Sequence, residues 1–155
     1  MKEYKSFKRE NWINAFAFYS HESLEVSRIA HSLSKNTVCY RLVCDSIEFS
    51  LKGLLCCLGY EINYLKNDFG HDIYSLASTL SADWLKVRNG SLLKPIDLET
   101  IKKASGSYKN KIFHYPNELE KGNPAFQKLE KVAEFLVKEL RIGTINVAPA
   151  VSVVN

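Results

Sequence analysis

Glycine and proline are scarce in this chain, seven and four in 155 residues. Sandwiches and barrels need many tight turns built on such residues, so the scarcity argues against a multi-stranded β architecture. No glycine-rich Rossmann or P-loop signature is present, which removes the usual sequence ground for a dinucleotide or triphosphate cradle. No segment repeats itself. No apolar run is long enough and clean enough to cross a membrane, since the longest, Leu42 to Leu58, is broken by Asp45, Glu48 and Lys52. The four cysteines, at 39, 44, 56 and 57, have no C-x2-C spacing and no histidine at ligand distance in sequence, so neither a metal nor a cofactor is expected. They fall in one apolar helical stretch, where cysteine acts as a small hydrophobe, a usage that suits a reducing compartment. The first ten residues, MKEYKSFKRE, are charged and contain no apolar core for a signal peptide. These absences predict a cytoplasmic protein with no membrane contact.

What is present fits one domain. Hydrophobic residues make up 46% and charged residues 25%, ordinary values for a globular protein of a size that can bury a single good core. A formal net charge of +4 permits an acidic partner such as RNA without demanding one. The domain is expected over residues 1–142. The uncharged, valine- and alanine-rich tail 143–155 reads as either disordered or an added strand.

Helical periodicity accounts for most of the chain. Trp12, Phe16, Tyr19, Val26, Ile29 and Leu33 recur at threes, fours and a seven between about Arg9 and Leu33, where one long helix or two short ones both fit. After a turn at Lys35-Asn36-Thr37, with Asn36 or Thr37 as cap, Val38 to Leu58 is the strongest helix and stops at Gly59. Tyr60 to Gly70 reads as a loop because of Asn63, Asn67, Asp68 and Gly70. His71-Asp72 opens a short helix, and Asp72 there is ordinary dipole complementation rather than half of a metal dyad. Asn89-Gly90 marks a turn, and Pro95 or its neighbour starts a helix with Asp97 and Glu99 in its first turn. Gly106 inside that helix costs about 1 kcal/mol against alanine, which points to a close helix contact there. A last helix runs from about Pro124 to Leu140. The sum is an all-α bundle of four to five helices in up-and-down antiparallel order.

Two features carry chemistry. In the central helix Arg41, Asp45, Glu48 and Lys52 are spaced four, three and four, which places them on one face. As two exposed pairs they would each contribute roughly 0.3–0.5 kcal/mol; as a seam they would face a site or a partner. Later comes Ser107 to Pro116, SYKNKIFHYP, where Pro116 predicts a helix end at about His114. A histidine and lysines at a helix end complement its unpaired carbonyls.

The segments CDSIEFSLKGLLCCLGY, GHDIYSL and SYKNKIFHYP, in that order, resemble the HEPN domain, a small all-α family. The family's Glu and following Leu-Lys-Ala-Leu-Leu are matched by Glu48, Leu51, Lys52, Gly53, Leu54 and Leu55. Its Gly-His-Asp-hydrophobic stretch is matched by Gly70 to Ile73. Its late Arg-Asn-x3-His motif or Tyr-Pro ending is matched by Lys109-Asn110-x3-His114 with Tyr115-Pro116. The resemblance spans roughly residues 10 to 140.

It implies a homodimer that acts on or binds RNA or a nucleotide, in some relatives beside a nucleotidyltransferase-type partner. In active members it implies a metal-independent endoribonuclease of toxin or defence type. Carried over, His114 is the general acid or base, with Lys109 and Asn110 beside it as catalytic candidates. Lys111, Tyr115 and Lys103 are the nucleic-acid-binding candidates, Tyr115 by stacking on a base. The departure is Lys109, where the family has arginine, because an ammonium lacks the planar fork that grips a phosphate through two bonds. A non-catalytic member is therefore the favoured reading, with a ribonuclease using His114 and a dimerisation scaffold for a protein partner as alternatives. On an ideal helix Lys109 and His114 stand about 140° apart, so two chains of a symmetric dimer would have to bring such groups together. Asn110 and Lys111 would share the face of His114.

Overall fold

The computed structural model describes residues 8–111 and 123–147. Helices α1 (Arg9–Ser32), α2 (Asn36–Cys57), α4 (Ile73–Arg88), α5 (Pro95–Lys109) and α6 (Phe126–Val147) make an all-α bundle, and a three-residue helix α3 (Ile62–Tyr64) runs into a π-helical turn, Leu65–Phe69. No strand occurs among the described residues.

The centre is α2. Its apolar residues surround most of the cylinder, and Val43, Ile47, Leu51, Leu54 and Leu55 are fully buried. A helix apolar almost all round must be covered on several sides. Helices α1 and α6 cover one side, and α4 and α5 close over the other. The α1–α2 connection is short because Ser34 takes a left-handed conformation (φ 56°), so the chain turns straight back on itself. Helix α1 is a single helix through Ser20-His21-Glu22, with Ser20 buried and its hydroxyl bonded back to the Ala17 carbonyl. Arg28 ties α1 to α6 through Glu130 (2.7 Å) and Glu134 (3.2 Å). At Gly53 α2 packs closely on α6 and α1: a Cβ there would stand 2.7 and 2.8 Å from the Leu140 methyls and 3.1 Å from Phe16 Cβ.

Several boundaries differ from the sequence reading. The cap of α2 is Lys35, which makes no side-chain cap bond, rather than Asn36 or Thr37. Its end follows expectation: Gly59 has φ 104° and the Tyr60 N–H reaches the Leu55 carbonyl at 3.0 Å, a closure that needs a residue without a Cβ. The expected loop Tyr60–Gly70 is largely helical, because Leu65 is fully buried and pulls the segment onto the core. Helix α5 ends at Lys109, not His114, since Lys111 adopts φ 56°. Asn110 and Lys111 therefore do not extend a helical face toward position 114. The last helix continues past Leu140 to Val147, into the segment expected to be tail. Gly106 makes no close contact among the described residues; it is exposed, and a Cβ there would meet none of them within 4 Å.

Candidate functional site: a polar cluster between α2, α4 and α5

The charged stripe of α2 faces the junction with α4 and α5, so its inner members are buried rather than solvated. Glu48 is 3% and Lys52 8% exposed. Taking two such charges out of water costs several kcal/mol per ion, which only close pairing and further hydrogen bonds offset. Both conditions are met. Lys52 Nζ donates to Glu48 Oε1 at 2.6 Å and to the Gly70 carbonyl at 2.8 Å. The other Glu48 oxygen, Oε2, lies 2.9 Å from His71 Nδ1 and accepts from the Tyr108 hydroxyl at 2.5 Å. The outer pair is different: Arg41 Nε sits 4.0 Å from Asp45, and Arg41 is exposed. The stripe is thus a surface pair at one end and the buried hub of a network at the other.

Tyr108 carries the link to α5. Its ring packs on the core, as its periodicity with Ile101 and Ala104 predicts, while its hydroxyl stands between Glu48 and Asp45 (2.7 Å). One phenol proton faces two carboxylates, so donation to one leaves the oxygen an acceptor toward the other. Burial pushes the Asp45 carboxyl above its ordinary range, against the opposing effects of the Tyr108 bond and the Arg41 charge. Burial also drives the Tyr108 phenol far above its usual value, with the Glu48 and Asp45 charges adding to it, so it stays protonated.

Asp72 anchors the second half. As the N-cap of α4 it accepts from the Ser75 N–H at 3.0 Å, and its other oxygen holds Lys109 Nζ at 3.0 Å. Ser105 on α5 donates to the same carboxylate at 3.3 Å and accepts the Tyr74 N–H at 3.2 Å. Burial alone would raise the Asp72 pKa, but the Ser75 amide and Lys109 outweigh it and hold the carboxyl below its ordinary value. Three segments far apart in sequence, around Glu48, around His71 and around Tyr108, thereby meet in one place.

Of the residues marked from the sequence, Asp45, Glu48, Lys52 and Lys109 belong to this cluster, and Arg41 stands at its edge. Lys103 is exposed on α5, 3.8 Å from Glu99. Asn110 and Lys111 follow α5 on the surface. His114 and Tyr115 lie outside the described residues. The sequence reading gave Asp72 to dipole complementation, and passed over Ser105. The signal for Tyr108 was there: a buried tyrosine needs a partner for its hydroxyl, and a stripe with two carboxylates supplies one.

Beside the cluster lies a cavity of about 400 Å³ to which Lys52 and His71 contribute. Among the described residues no group of three or more His, Cys, Asp and Glu side chains is placed to hold a metal ion. Comparison of the chain with protein-family models, with curated proteins and with solved structures gives no match.

Proposed function

We propose that the chain is a HEPN-type module that binds RNA or a nucleotide as a homodimer without cleaving it. The observation that carries this is the Lys109–Asp72 pair. The one cation at the position of the motif arginine is paired with the protein's own carboxylate at 3.0 Å, and its ammonium lacks the planar fork that grips a phosphate through two parallel bonds. A cleavage site needs its cation free to stabilise charge as it develops. Binding makes no such demand. Lys102, Lys103 and Lys111 are all exposed along α5 and its end, and the exposed Gly106 lets a backbone phosphate approach them.

The homodimer is supported by α1. Phe18, Tyr19, Val26, Ile29 and the capping residue Leu33 are 45–64% exposed and fall within about 100° of one face, away from the buried side. An apolar face of this kind, broken by the exposed Glu22, favours a partner surface. The four free cysteines, with burial pushing the Cys56 thiol up to about 12, support a reducing, cytoplasmic setting. A nucleotidyltransferase-type protein on the same face is the competing occupant, and sedimentation of the pure protein separates the two: a monomer at micromolar concentration removes the homodimer.

The binding claim is tested by fluorescence anisotropy of a labelled single-stranded RNA at low salt. Saturable binding that weakens steeply with salt and is reduced in Lys103→Glu supports it. A flat titration removes it.

A further inference from the structure

The cavity beside the cluster has a composition of its own. Trp12, Phe16 and Ile62 give it an apolar wall, while Lys52, Lys66 and His71 supply its polar atoms together with the Gly70 backbone. None of these lining side chains is acidic. Phe16 and Lys52 are buried, Trp12 and Ile62 half-buried, and Lys66 and His71 exposed, so the cations reach from floor to mouth. Lys52 has three N–H donors and gives two of them to Glu48 and Gly70. His71 turns Nδ1 to Glu48 and leaves its other ring nitrogen on the solvent side. Lys66 has no ion pair among the described residues. Of the carboxylates near it along the chain, Glu61 is taken by Arg9 at 2.7 Å, and Asp68 is exposed. A volume of about 400 Å³ is that of a small-molecule pocket, which is typically apolar with a few placed polar groups.

We propose that this cavity binds a small organic anion, its apolar or aromatic body against Trp12, Phe16 and Ile62 and its anionic head on Lys66 and the remaining donor of Lys52. The site is separate from the exposed lysines of α5 and does not depend on RNA binding there. An alkyl carboxylate and a mononucleotide share this chemistry.

The probe is 8-anilinonaphthalene-1-sulfonate, an aromatic sulfonate whose emission rises in an apolar site. Trp12 and Trp84 are the two tryptophans, and Trp84 lies on α4 over the Arg88 side of that helix. In Trp84→Phe the remaining indole is in the cavity wall, so bound probe should quench Trp12 saturably at one probe per chain. Lys66→Glu, an exposed change on the turn, should weaken this at least tenfold. Decanoate and adenosine monophosphate are then added as competitors: displacement by the first assigns a carboxylate of an apolar chain, and displacement by the second a nucleotide. Unquenched Trp12, equal affinity in Lys66→Glu, or displacement by neither competitor overturns the proposal. Calorimetric titration of the probe into the unmodified chain and into Lys66→Glu gives the same comparison if Trp84→Phe does not fold.

Discussion

The Tyr108 hydroxyl on α5 meets Glu48 Oε2 on α2 at 2.5 Å, with Asp45 Oδ1 2.7 Å away on its other side. The hydroxyl thus joins two carboxyl groups across the helix junction, donating its proton to one and accepting toward the other. Tyr108→Phe removes it, taking a partner from Asp45 and leaving Glu48 with Lys52 and His71, at an expected cost of about 1–3 kcal/mol in urea unfolding at pH 7. The sign of the pH dependence follows from Asp45. Its pKa is higher folded than unfolded, so the folded state binds the proton more readily, and its contribution favours folding as the pH falls toward the unfolded value of about 3.9. The deficit of Tyr108→Phe should therefore shrink between pH 7 and pH 5. An equal deficit at both would mean that Asp45 does not feel the missing proton.

Glu48→Gln leaves the Lys52 ammonium buried with one neutral carbonyl and a weakened amide partner. Breaking a buried ion pair from one side costs about 3–5 kcal/mol. Glu48→Met with Lys52→Met removes both charges together and should be more stable than Glu48→Gln alone. If the double variant unfolds at the lower urea concentration, the pair itself, not the stranded charge, supplies the stability.

Asp72→Ala removes the α4 cap and the Lys109 partner in one step. Cap loss costs about 1 kcal/mol, and the half-exposed ion pair adds a few tenths. Because the Asp72 pKa is lowered on folding, its contribution is complete above the unfolded value near 4 and is lost as the pH falls through the folded one. Wild type and Asp72→Ala should differ most at neutral pH and converge under strongly acid conditions. Thermal melts at stepped pH read this directly.

Two glycines in helices should respond oppositely to alanine. Gly53→Ala forces a methyl against Leu140 and Phe16 in a filled core and should cost about 1–3 kcal/mol. Gly106→Ala meets none of the described residues on an exposed helix face and should stabilise by about 0.5–1 kcal/mol. Paired urea curves at one pH suffice.

Much of this bundle was legible in the sequence wherever local chemistry alone sets an outcome. Gly59 ends α2 because the closure needs a positive φ, and Pro95 opens α5 because its fixed φ suits a first turn. The segment after Gly59 was misread for a physical reason: Asn63, Asn67 and Asp68 advertise turns, while the driving force for helix is burial of a single residue, Leu65. The end of α5 carries no local signal, since a left-handed lysine at 111 is not a residue that chemistry selects for that conformation. The seam on α2 was visible as a stripe. Which half of it is buried was not, because that depends on where α4 and α5 come to rest.

The central claim, binding without cleavage, is tested most directly by incubating the protein with end-labelled single-stranded RNA in EDTA and loading native and denaturing gels side by side. The account predicts RNA retarded on the native gel and full-length on the denaturing one, for the unmodified chain and for His114→Ala alike. Shortened RNA from the unmodified chain that stays intact with a folded His114→Ala would contradict it and make the protein a metal-independent ribonuclease despite Lys109.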